Sequence, residues 1–116
     1  MEDRSKRFAV GAVGLQRKFV ARPELWDVAR QLARAATSTG ANHRAMRRAR
    51  SLREFAAKLQ IVCEEIDEST YWLDLIAELA PDLSDDISGL HREALELRAI
   101  FAKARSTTRR KLQDAP

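Results

Sequence analysis

Residues 84–104 read SDDISGLHREALELRAIFAKA, and within them Ile87, Leu90, Ala94, Leu97, Phe101 and Ala104 recur at steps of three and four. That spacing returns to one side of a 3.6-residue helix at every turn, so it predicts an amphipathic helix with a single apolar stripe. The same period runs upstream through Leu52, Phe55, Leu59, Val62, Ile66, Leu73, Ile76 and Ala80, with Ser69 standing where an apolar residue is expected. It runs again through Leu25, Ala29, Leu32, Ala36, His43 and Met46, and more briefly through Phe8, Ala12, Leu15 and Phe19, a segment weakened by Gly11 and Gly14.

Proline costs about 3 kcal/mol inside a helix, so Pro23 and Pro81 mark boundaries. Ser51-Leu52-Arg53-Glu54 has the form of a capping box and marks a third. The predicted helices are therefore about 4–20, 24–48, 52–80 and 84–106, followed by a basic tail at 107–116 that is expected to fray. No alternating apolar and polar run with flanking turn signals argues for a strand. The expected fold is all-α, a single antiparallel up-down-up-down four-helix bundle over residues 1–116.

Composition agrees with one domain: 116 residues, 45% hydrophobic, 33% charged and only 6% aromatic, enough to bury a core without staples. The single Cys63 permits no internal disulfide. With no signal peptide and no apolar run near the roughly 18 residues of a membrane span, a cytoplasmic protein without membrane attachment is expected.

The third segment has more apolar surface than a bundle core uses. Ile61, Trp72, Leu75 and Leu79 lie off its main stripe at spacings that make a second one, and Tyr71 adjoins them. A helix apolar on two sides needs a second contact surface, and these residues are the expected interface of a homo-oligomer.

Charge is unevenly placed. Residues 1–63 hold 14 basic and 5 acidic side chains, residues 64–96 hold 1 and 11, and residues 97–116 hold 6 and 1, for the net charge of +4. Folded as an antiparallel bundle, the start of the first helix, the end of the second, the start of the third and the end of the fourth share one pole. Arg44, Arg47, Arg48, Arg50, Arg53, Arg105, Arg109, Arg110 and Lys111 gather there, with Arg4, Lys6, Arg7 and Lys103. Arginine's planar fork suits phosphate, and a convergent basic footprint points to a polyanion. Arginines at a helix end also stabilise its negative terminus, the plainer account of Arg44–Arg53. Phe8 and Phe55, the aromatics near this pole, read as core, so backbone contact to structured nucleic acid is expected over base stacking.

Catalytic and metal chemistry find no residues. Glu64, Glu65, Asp67 and Glu68 could suggest a di-metal bundle, but neither His43 nor His91 has a glutamate three residues before it, and no metal or cofactor is expected. No histidine is placed to activate Cys63, and no triad is apparent, so no enzymatic activity is expected. Antiparallel alignment about Ala49–Arg50 instead pairs Arg34 with Glu65, Arg30 with Glu68 or Ser69, and Asp67 with Arg98. Asn42, among Gly40, Ala41 and Ala45, is expected to bond across the bundle.

Ser38-Thr39-Gly40-Ala41-Asn42, Glu54-Phe55, Lys58-Leu59, Glu64-Glu65-Ile66-Asp67-Glu68-Ser69 and Tyr71-Trp72-Leu73 together resemble the signature of the bacterial four-helix-bundle proteins labelled 23S rRNA intervening-sequence proteins. The resemblance covers roughly residues 8–80. It implies a ring-like homo-oligomer, a pentamer, with no enzymatic activity and a scaffold or RNA-associated role. The related accessory variability determinants of diversity-generating retroelements add a reverse transcriptase as an implied partner. Ala45 departs from the pattern, standing where the family usually has an acidic residue, which removes any polar pairing there. The functional expectation is a non-catalytic adaptor that binds structured RNA or DNA through its basic pole. The alternative is a protein-interaction scaffold, such as a reverse transcriptase accessory subunit, with no nucleic-acid binding of its own.

Overall fold

The computed structural model describes residues 1–114, and these form four α-helices with no strand among them. Helix α1 spans Glu2–Gln16 and ends in a 3₁₀ turn, Arg17–Phe19; α2 spans Pro23–Arg47, α3 Leu52–Leu79 and α4 Ser84–Asp114, the last preceded by a 3₁₀ turn at Pro81–Leu83. The architecture is that of a four-helix bundle, 56 × 21 × 20 Å overall, in which each helix packs on its sequence neighbour and α1 also touches α4.

Local chemistry sets the boundaries. Pro23 occupies the first turn of α2, where its missing N–H is no loss. Ser51 caps α3, its Oγ accepting from the Glu54 N–H at 3.0 Å; the return bond from the Glu54 carboxylate that would complete a capping box is not made. The stripes become one core: Phe8, Ala12, Leu15 and Phe19 from α1 and its 3₁₀ turn meet Leu25, Leu32 and Met46 of α2, Leu59, Ile66 and Leu73 of α3, and Ile87, Leu97 and Phe101 of α4. Gly11 earns its place by close approach, since a Cβ there would lie 3.0 Å from Leu90 Cδ1 of α4.

The end of the chain differs from expectation. The segment from residue 107 is not a frayed tail: α4 runs on to Asp114, and residues 115 and 116 lie outside the described residues. The apolar stripe continues in disguise, because Thr108 follows Ala104 by four residues and is buried, its Oγ1 donating to the Ala104 carbonyl at 2.8 Å. A threonine so satisfied presents its methyl as a small hydrophobe, and Leu112 extends the same side towards Ala56 and Leu59 of α3. The first helix also starts earlier than expected, at Glu2, and loses α-helical geometry at Arg17.

Thr108→Pro is expected to cost about 3 kcal/mol in chemical denaturation, the cost of proline in a helix interior. A frayed tail would leave stability unchanged.

Candidate nucleic-acid interface

Bundle geometry brings the basic segments together as the alignment requires. Arg44 and Arg47 occupy the last turn of α2 and Arg48 its C-cap; Arg50 lies in the turn that follows, and Arg53 in the first turn of α3. Arg105, Arg109, Arg110 and Lys111 lie on the final turns of α4, beside the start of α3. All nine are exposed except Arg105, which is half-buried. Among the described residues none of the nine has a carboxylate within 4 Å.

Elsewhere on the molecule several cations are occupied, while Arg17 and Arg92 have no carboxylate within 4 Å among the described residues. Arg22 donates to Asp82 at 2.9 Å and Lys18 reaches Asp86 at 3.2 Å, tying the α1–α2 turn to the start of α4. Arg98 pairs with Asp67 at 3.3 Å and donates to Thr70 Oγ1 at 3.1 Å. Arg34 stands between Glu65, at 3.2 Å, and Glu68. Arg4, expected in the basic pole, leaves it for a two-pronged bond to Glu93, 2.7 Å on each prong, with Glu96 at 3.4 Å. That hydrogen bond holds the Glu93 carboxyl below its ordinary range. Most of the cations without a carboxylate partner among the described residues thus gather at one end, with Arg17 and Arg92 as exceptions.

Two polar expectations change. Arg30 does not reach Glu68 or Ser69; it lies 3.7 Å from Asp27 of its own helix, because Arg34 alone spans both α3 carboxylates. Asn42 does not bond across the bundle: its Nδ2 donates to the Ser38 carbonyl at 2.9 Å and Ser38 Oγ at 3.1 Å, one turn back, because it sits half-exposed at the edge of α2.

The expected interface residues of α3 divide by exposure. Tyr71, Leu79 and Ile61 are exposed, while Leu75 and Trp72 are half-buried. Trp72 packs partly on the core, donates Nε1–H to Glu68 at 3.2 Å, and meets the Tyr71 ring edge-on at 5.0 Å.

One buried polar pair went unread in the sequence. Ser5 and His43 are both inside the bundle just below the basic pole, Ser5 Oγ lying 3.0 Å from His43 Nδ1. The Ser5 hydroxyl also lies 3.0 Å from the Glu2 carbonyl, and when its proton is given there the His43 Nδ1–H is the donor to Ser5. The Phe101 ring packs on the imidazole, centroids 5.2 Å apart. Burial lowers the His43 pKa, and nearby Arg47 lowers it further. The signal was available, since Ser5 precedes Phe8 by three residues on the core stripe of α1.

Cys63 is buried with its Sγ 3.5 Å from the Phe101 carbonyl, and burial pushes its thiol pKa up, the opposite of an activated nucleophile. Among the described residues no group of three His, Cys, Asp or Glu is placed to hold a metal ion, and no helix is long and apolar enough to cross a membrane.

These features define a small helical bundle with one free basic pole. No protein-family model matches the chain, and no curated protein does. Among solved structures it is similar to a protein of unknown function from the S23 ribosomal protein family of Bacteroides thetaiotaomicron, with 28% sequence identity and a TM-score of 0.81 over 90% of this chain and 96% of that one. The likeness fits a bacterial family of four-helix proteins.

His43 provides a pH test. Its folded pKa lies below the unfolded value, so the unfolded chain binds the extra proton and stability falls as pH drops through about 6.5. Wild-type protein is expected to lose stability between pH 7 and pH 5 in urea titrations, and His43→Gln to lose less over the same interval. Equal losses would remove His43 as the cause.

Proposed function

We propose that this protein is a non-catalytic, self-associating adaptor that binds structured RNA or another nucleic acid through its basic pole. The observation that carries the reading is the convergence of free cations: Arg44, Arg47, Arg48, Arg50, Arg53 and the α4 cations come together from three segments with no carboxylate within 4 Å among the described residues, whereas Arg4, Arg22, Arg34 and Arg98 hold carboxylates from other segments. A crowd of like charges destabilises a fold unless counterions or a polyanion compensate it, and phosphate contact with counterion release is the natural compensation. The structural neighbour is from a family with a ribosomal name, which agrees in direction with an RNA ligand. The pole offers no exposed aromatic platform: Phe8 is buried and Phe55 half-buried against the core. Contact to the backbone of a folded nucleic acid is favoured accordingly.

Self-association is supported by a separate observation. Tyr71, Ile61 and Leu79 are large, exposed and on one helix, with Trp72 and Leu75 beside them. A ring of parallel protomers, of which a pentamer is one case, would place every basic pole on the same rim and multiply the phosphate contacts. The same apolar residues would serve a scaffold whose ligand is another protein, such as a reverse transcriptase, and the two readings part over what the arginines touch.

Binding to a structured RNA and to a matched DNA duplex, followed across a salt series, tests this. Wild-type protein is expected to show a steep fall of log affinity with log salt. The triple change Arg47→Glu, Arg48→Glu and Arg53→Glu is expected to weaken binding at every salt concentration and to flatten the slope by about 3, about one per phosphate contact removed. Binding that survives the triple change, or absent binding at low salt, would return the pole to a solvated surface or a protein dock.

A further inference from the structure

We infer that self-association joins two different faces: the outward stripe of α3 on one copy seats in the groove between α1 and α2 on the next. The inference rests on the self-association reading above and adds which surfaces meet.

The stripe is apolar and acidic. Ile61, Tyr71 and Leu79 are 36%, 57% and 49% exposed, and they project from the side of α3 opposite its buried residues. Glu64 and Glu78 share that outward side, and among the described residues neither has a cation within 4 Å. Between Leu59 and Leu79 the helix has no lysine or arginine at all.

The groove is apolar and basic. Two adjoining hollows, of about 400 and 360 Å³, share Lys6, Ala9 and Thr37 and so form one channel along the α1–α2 seam. Small residues, Ala9, Gly40 and Ala41, floor it, and Val10 and Val13 stand exposed on its wall at 64% and 42%. Lys6, Arg44 and Arg48 edge it, with Glu2 and Asp3 at one mouth. The residues that line it from 2 to 17, in α1 and the start of its 3₁₀ turn, rise about 22 Å, and the stripe from Ile61 to Leu79 rises about 27 Å.

Sign decides the pairing. Stripe against stripe would oppose Glu64 and Glu78 to themselves, and groove against groove would oppose Lys6, Arg44 and Arg48. Stripe in groove sets apolar on apolar and acid on base, with bulky side chains over a floor of small ones. A contact between unlike faces is heterologous, leaves a free half on each copy, and closes into a ring when the rotation allows.

Two double variants test this. Val10→Glu with Val13→Glu spoils the groove, and Ile61→Lys with Leu79→Lys spoils the stripe; all four positions are exposed, and circular dichroism checks that both variants fold. Should the stripe variant fail to fold, Tyr71→Lys replaces it. By light scattering on a sizing column, each variant alone is expected at the 13.1 kDa monomer mass, and an equimolar mixture is expected to form a one-to-one complex. A groove variant that retains the wild-type oligomer, or a mixture of monomeric variants that stays monomeric, overturns the stripe-in-groove contact. Wild-type protein that is itself monomeric overturns the self-association reading with it.

Discussion

The tight reversal between Arg47 and Leu52 governs the electrostatics of the whole molecule. Four residues turn the chain through an antiparallel corner, so the arginines that end α2 are forced beside those that begin α3. The end of α2 gains from this, because cations near a helix C-terminus oppose its negative pole, and the same holds for Lys111 at the end of α4. The start of α3 gains nothing, since Arg53 sits at a positive helix end with Glu54 as the one acid of that turn. The corner therefore combines a favourable and an unfavourable dipole placement within a few residues, and Ser51, through its hydrogen bond to Glu54 N–H, holds it in shape.

Further from the corner, ion pairs fix how the helices align. Arg34 against Glu65 and Glu68 and Arg98 against Asp67 each join different helices, and Arg22 against Asp82 joins the α1–α2 turn to the 3₁₀ turn before α4. Partly exposed pairs of this kind contribute little to stability, on the order of 0–1 kcal/mol each, but a slip of one helical turn would break them. Their use is to choose one register among several that the apolar stripes alone would tolerate. The Gly11–Leu90 approach adds a steric check of the same register between α1 and α4.

The helices and their order were legible because apolar spacing and prolines speak directly to local geometry. The basic pole was legible for the same reason, being a consequence of helix order, and so were Arg34–Glu65 and Arg98–Asp67, which follow from counting along a hairpin. Two of the misreadings share a cause: they concern polar residues whose hydrogen bonds close within one turn. Thr108 reads as polar in a list and as a methyl group in a helix, because its hydroxyl is spent on Ala104. Asn42 reads as a cross-bundle bond and is spent on Ser38. The choice between Arg30 and Arg34 as partner of Glu68 depends on which face of α2 turns towards α3, and spacing alone does not give that rotation. Ser5–His43 lay on two legible stripes, but that they meet across the core depends on the axial offset between α1 and α2.

The length of α4 has a consequence for dynamics. Its ion pairs with α1 and the turn that follows it run from Asp86 to Glu96, whereas its final turns lie along α3 through Ala56, Leu59, Arg105 and Leu112. The basic end of the helix is thus buttressed by fewer layers than its middle, and its amide hydrogens belong to the class that exchanges with solvent through local opening rather than global unfolding. The region with the highest density of free positive charge is thus also one that local opening can reach. Any polyanion that neutralises it acts as a clamp on the closed form, so that occupancy of the pole would be written in slowed deuterium uptake along the last three turns of α4.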